Sequence, residues 1–121
     1  MGLTAIETSQ HRDNPQSDLA RHFPDFFVIE WNVFVQVKSA LDSEDWPDVL
    51  AEKKSYEVCK MLYEFGLSVK MVWEFPDHTW RGQFIENINP KTQLISDEAR
   101  KHGSGTPALK IPKSQLEIFP G

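Results

Sequence analysis

The chain reads as an α+β domain: a small, mainly antiparallel sheet of three to five strands, packed on one face by a central helix. Three observations predict it. Residues 26–37 alternate with a period of two, residues 45–65 carry a helical apolar stripe, and residues 67–86 form two alternating runs around a turn. At 121 residues the chain has the size of one domain. Its 40% hydrophobic and 26% charged side chains suit a packed core and not disorder. The expected organisation is a flexible N-terminal arm over residues 1–17 and a single α+β domain over residues 18–121.

Residues 1–17 are polar and show no sustained period, as a terminal arm would. Ser17 or Asp18 can cap a short helical turn through Leu19, Ala20 and Phe23, which Pro24 stops. In 26–37 the odd positions Phe27, Ile29, Trp31, Val33, Val35 and Val37 are apolar, whereas Glu30, Asn32 and Gln36 are polar. Period two with many β-branched and aromatic residues predicts one long strand. A helix is the alternative, because Phe26, Ile29, Val33 and Val37 also follow three-and-four spacing. On a helix, however, the polar residues scatter around the circumference and form no face.

Residues 45–65 predict a helix capped by Asp45 or Trp46, with Pro47 in its first turn, where the missing N–H costs nothing. Val58, Met61, Leu62 and Phe65 form its apolar stripe, and Gly66 suits the left-handed residue that ends it. Residues 67–75 and 79–86 predict a hairpin with a four-residue loop, Pro76–Thr79. That register sets Phe75 opposite Trp80, Trp73 opposite Gly82 and Met71 opposite Phe84, and pairs Glu74 with Arg81 on the outer face. In the tail, Ser96–Lys101 suits a short capped helix and residues 102–107 a loop. Ala108–Ile111 and Leu116–Phe119 suit short strands broken at Pro112.

Charge is uneven. The formal net charge of −5 divides into −2 over residues 1–40, −4 over 41–75 and +1 over 76–121. The acidic surplus is densest at Asp42, Glu44, Asp45 and Asp48. An acidic balance weighs against a protein whose main task is gripping a nucleic-acid backbone. A single cysteine, Cys59, excludes an internal disulfide and a cysteine-based zinc cluster, and its place on the helix stripe suits core packing. No run approaches the ~20 apolar residues that span a bilayer, and no signal peptide opens the chain, so a cytoplasmic protein without membrane contact is expected. His11, His22, His78 and His102 share no metal-binding spacing. Gly103-Ser104-Gly105-Thr106 leads into Pro107 and not into a helix, which argues against a phosphate cradle. No cofactor and no metal are expected, and no residue reads as catalytic.

The function these features favour is a non-catalytic protein-binding module of inhibitor, immunity-like or regulatory type, meeting a partner with a basic surface. Its binding residues would be the acidic patch Asp42, Glu44, Asp45, Trp46 and Asp48, and the hairpin residues Asp77, His78, Trp80 and Arg81, helped by exposed aromatics. One alternative is a small enzyme or ligand-binding domain with a pocket between helix and sheet, using Asp77, His78, Glu74 or Glu30. Another is a nucleic-acid accessory protein of a mobile element, which the basic tail and the run ALKIPKSQLEI keep open; that run resembles the closing strand of small mobile-element proteins.

Overall fold

The computed structural model describes residues 2–8, 18–40, 47–91 and 108–119. Six strands make a mixed sheet in the order β1-β2-β3-β5-β6-β8, and β4 with β7 makes a separate two-stranded ribbon. In chain order these are β1 (Ala5–Glu7), a short helix α1 (Asp18–His22), β2 (Phe26–Val28), β3 (Val33–Ser39), β4 (Asp48–Glu52) and α2 (Lys53–Glu64). They are followed by β5 (Val69–Glu74), β6 (Trp80–Phe84), β7 (Ala108–Pro112) and β8 (Glu117–Ile118). The α+β class is as expected. The sheet is larger than the three to five strands foreseen, because both chain ends add an edge: β1 pairs with β2, and β8 pairs with β6. Part of the segment expected as a flexible arm therefore contributes an edge strand, while residues 9–17 lie outside the described residues.

The long strand expected over 26–37 is a hairpin. Phe26 pairs with Val35 and Val28 with Val33, and residues 29–32 turn the chain through one 3-10 turn. Asn32 makes the reversal at φ 56°, in the left-handed region that asparagine tolerates better than most residues. Alternation continues through such a turn, so period two alone could not find it.

The helix begins at Lys53 and not at Asp45. Residues 48–52, read as its first turns, are β4 instead, paired antiparallel with β7 from Asp48↔Pro112 to Glu52↔Ala108. Tertiary pairing overrides local preference there. Its end is as expected. Gly66 takes φ 98°, its N–H reaches the Tyr63 carbonyl, and the Leu67 N–H reaches the Leu62 carbonyl, the two bonds of a Schellman cap.

The β5–β6 hairpin exists, but its register differs by one. Glu74 faces Trp80, Trp73 faces Arg81, Val72 faces Gly82 and Lys70 faces Phe84. The cause is a three-residue loop, Pro76–His78. The Phe75 N–H donates to the Thr79 carbonyl, the His78 N–H donates to the Phe75 carbonyl, and His78 sits at φ 67°. That is the pattern of a turn closed by a left-handed residue. The expected Glu74–Arg81 pair is therefore not formed across the strands.

β5 lies at the centre and is buried on both faces. On one face Val69, Met71, Trp73 and Phe75 pack with Val58, Cys59 and Leu62 of α2 and with the β4–β7 ribbon. On the other, Val72 joins Val28, Val33 and Val35, covered by Phe26, Trp31, Val37, Trp80, Phe84 and Phe119. β3 and β5 run parallel, joined through β4 and α2. This crossover holds α2 over the sheet and so frames the site.

Candidate functional site

The site grows from the β2–β3 hairpin. Asp25 immediately precedes β2, after the fully buried Pro24. The β2–β3 register, continued by one residue, sets Asp25 opposite Gln36. Phe34, Gln36 and Lys38 alternate onto the face that carries α2, because successive strand residues point to opposite faces. The Asp25 carboxylate accepts the Gln36 side-chain amide at 3.1 Å and the Val37 main-chain N–H at 2.8 Å. The amide nitrogen of Gln36 also lies 3.5 Å from the Val37 carbonyl. Two acceptors therefore face Nε2, which fixes the orientation of the carboxamide. Gln36 Oε1 is left buried with no hydrogen-bond partner among the described residues.

α2 closes the site from above. Lys38 Nζ donates to Ser55 Oγ at 2.7 Å, and Ser55 Oγ lies 3.3 Å from Nδ1 of His22, the last residue of α1. Glu52 Oε1 stands 3.9 Å from Lys38 Nζ. Lys53 and Lys54 occupy the first turn of α2, where the helix dipole disfavours cations. This corner is locally basic in a chain whose net charge is −5. Cys59 lies on the same helix, and burial pushes its thiol up to about 12, against a smaller opposing pull from the Lys38 charge. It is a core residue and no nucleophile.

The residues singled out from sequence fall elsewhere. Asp42, Glu44, Asp45 and Trp46 lie outside the described residues. Asp48 opens β4 and is ion-paired with Lys91 at 3.0 Å. Asp77 and His78 form the hairpin loop; the Thr79 hydroxyl and N–H donate to the Asp77 carboxylate and hold its pKa below the usual range. Arg81 and Lys113 lie over the Phe75 ring at 5.8 and 5.4 Å, and with Asp77 and Thr79 they line a cleft of about 120 Å³. Trp80 points to the opposite face, into an apolar groove of about 310 Å³. The structure thus joins Asp77 to Arg81 and separates both from Trp80. Glu30 tethers the N-terminus by accepting the Thr4 N–H, which lowers its pKa. The loop expected over 102–107 and the helix over 96–101 are outside the described residues.

No family model matches the chain, and no curated protein matches it. A solved structure does. The 1.6 Å structure of Archaeoglobus fulgidus Hjc, a Holliday junction resolvase from an archaeal hyperthermophile, superposes with a TM-score of 0.56. The match covers 98% of this chain and 79% of that one, at 13% sequence identity. In fold, this chain is similar to a Holliday junction resolvase. The expectation of a non-catalytic inhibitor or immunity-like module is corrected by that match, since the fold is one that a nucleic-acid-processing enzyme uses. Trp73 is fully buried, and Trp31 and Trp80 pack half-buried against the second apolar cluster. Among the described residues, no helix is long and apolar enough to cross a membrane.

The alternative of an enzyme with polar groups between helix and sheet agrees better with the structure, but with other residues. Asp25, Gln36, Lys38, Ser55 and His22 were missed. The signal was a buried-looking Gln and Lys two apart in an otherwise apolar strand, preceded by an Asp at the hairpin's start.

Proposed function

We propose that this chain is a cytoplasmic nucleic-acid-processing enzyme of the nuclease type, acting on a phosphodiester at Asp25, Gln36 and Lys38. The observation that carries this reading is the cross-strand arrangement of those three groups beneath α2, with the buried Gln36 carbonyl unclaimed by any donor among the described residues. The likeness in fold to a Holliday junction resolvase supports it. The basic first turn of α2 offsets the acidic total where a phosphate must approach.

A hard divalent cation suits the donors. Asp25 offers carboxylate oxygen, Gln36 would offer its carbonyl oxygen once its carboxamide turns over from the orientation in which Nε2 faces Asp25, and magnesium is commonly held by one or two carboxylates completed by substrate phosphates. Among the described residues no group of three or more His, Cys, Asp or Glu side chains could hold an ion unaided. The substrate phosphate would therefore complete the site. A cation bound there would polarise the phosphoryl oxygens and acidify its water. Asp25 orients the Gln36 carboxamide, and the main-chain N–H of Val37 holds the Asp25 carboxylate in place. Lys38 presents a positive charge to the phosphate and to the negative charge that develops on it.

The test is cleavage of labelled single strands, linear duplex and four-way junctions with magnesium or manganese, against a chelator control. Metal-dependent cleavage that Asp25→Asn and Lys38→Met both abolish is the expected result. Failure to cleave any of these substrates, or cleavage by Asp25→Asn at the parent rate, overturns the assignment.

A further inference from the structure

Ser55 is the least expected polar residue in the core. It is 1% exposed, in the first turn of α2, and its hydroxyl is wedged between two titratable groups. We propose that Ser55 and His22 form a hydrogen-bonded relay that positions the Lys38 ammonium at the phosphodiester site, an inference that rests on the function proposed above.

The hydrogen-bond inventory sets the direction of the relay. An ammonium can only donate, so Ser55 Oγ accepts from Lys38. The hydroxyl proton then needs an acceptor, because an unsatisfied buried hydroxyl is costly. His22 Nδ1 at 3.3 Å is that acceptor when the imidazole carries its proton on Nε2. Lys38 is a flexible four-carbon stem bearing a compact charge. Held at 2.7 Å by Ser55, its ammonium has one direction instead of many. Glu52, 3.9 Å away and half-exposed, is too distant and too solvated to fix it alone. The order of elements explains the arrangement. α1 delivers His22, the parallel crossover lowers the start of α2 onto β3, and the third residue of α2 meets Lys38. Ser55 and His22 touch no substrate in this scheme; they are positioning residues.

The test uses the full chain with Ser55→Ala, His22→Ala and His22→Asn. Asparagine keeps a hydrogen-bonding group at the δ position, where Nδ1 stands, and alanine does not. The first readout needs no activity: the rate at which acetic anhydride modifies Lys38, followed by mass spectrometry. Ser55→Ala and His22→Ala should raise that rate several-fold, whereas His22→Asn should leave it near the parent value. The second readout is cleavage. Ser55→Ala should lower the single-turnover rate about tenfold with substrate affinity unchanged within about twofold, and adding His22→Ala should cost no more, as expected for groups acting through one contact. If Lys38 is modified at the parent rate in both alanine variants, the relay is wrong. If the labelling effects hold and no nucleic acid is cleaved, the relay stands as geometry and the proposed function fails. His22 is half-buried at the end of a short helix, so its variants keep the test open even if Ser55→Ala does not fold.

Discussion

Gln36 donates its side-chain amide to the Asp25 carboxylate at 3.1 Å across the β2–β3 pair, and this one contact sets the chemistry of the site. It turns the Gln36 carbonyl away from Asp25 and leaves it buried without a partner among the described residues. A buried polar atom in that condition costs about 1–3 kcal/mol. Such a cost persists where a ligand meets the group or function requires it.

Gln36→Met tests that trade directly. Methionine has nearly the same shape and no carbonyl to orphan, and the Val37 N–H still satisfies Asp25. Stability should stay within about 1 kcal/mol of the parent or rise, because both the donor and the unmet acceptor are removed together. Nuclease activity should fall on the order of 10²-fold, as when a metal site loses an orienting group. Thermal unfolding and cleavage assays on one preparation check both halves. A variant that is clearly destabilised yet fully active contradicts the argument.

Gly82→Ala should be destabilising. A Cβ at Gly82 would lie 2.5 Å from the Met71 carbonyl oxygen and 2.8 Å from Val72 Cγ2, in the middle of the β5–β6 pair. The first of these is backbone and cannot swing aside. Overpacking of this kind costs about 1–3 kcal/mol, read as a lower midpoint in urea with an unchanged slope. Retention of the parent midpoint would mean that β5 and β6 are not so close.

Much of the fold was legible where pattern and partner agree. The α2 stripe and Gly66 were readable because the cap needs only local geometry, and the β5 alternation was readable because its residues are strongly apolar. The β2–β3 hairpin was hidden, since Asn32 reverses the chain without breaking the alternation of Phe27, Ile29, Trp31 and Val33. β4 was hidden because its partner β7 begins 56 residues after β4 ends, and local sequence reports nothing of that distance. The site suffered most. Asp25 and Gln36 are 11 residues apart in sequence, and they become a pair only through that unseen hairpin. Ser55 reaches Lys38 only through the α2 crossover, and His22 meets Ser55 from α1. Under the proposed function net charge is a poor guide for a related reason: it averages over a surface, whereas a phosphate would meet only the corner around Lys38 and the first turn of α2.

Cys59 should resist thiol reagents in the native state. Burial pushes its pKa up to about 12, so at pH 8 almost no thiolate is present, and the side chain is fully enclosed. Reaction with a chromogenic disulfide should be negligible on the folded chain and should proceed to one equivalent in denaturant. The native reaction rate should follow global unfolding, falling as stabilising conditions are added. Rapid labelling of the folded protein would place Cys59 outside the core.

Lys70 should make stability depend on alkaline pH. It lies on the face away from α2, 7% exposed, its ammonium 4.8, 5.2 and 5.6 Å from the Phe84, Phe119 and Trp31 rings. Burial lowers its pKa below the ordinary 10.5, and the Glu117 charge only partly opposes this. The unfolded chain therefore binds more protons between the lowered value and 10.5, so the Lys70 contribution to stability rises as pH rises through that window. At neutral pH the charged form is carried at a desolvation cost, which attraction to the three rings opposes. Lys70→Met keeps the length and the apolar stem and removes the charge. It should unfold about 3–5 °C above the parent at pH 7, the shift that roughly 1 kcal/mol produces in a domain of this size. The gap should narrow as pH approaches 10.5, because the parent loses its penalty there and the variant has none to lose. Melting both proteins across that range separates this effect from tyrosines and other lysines, which titrate alike in the two chains. A gap that stays constant with pH, or a variant that melts below the parent at pH 7, would show that the aromatic cage favours the ammonium over the neutral amine.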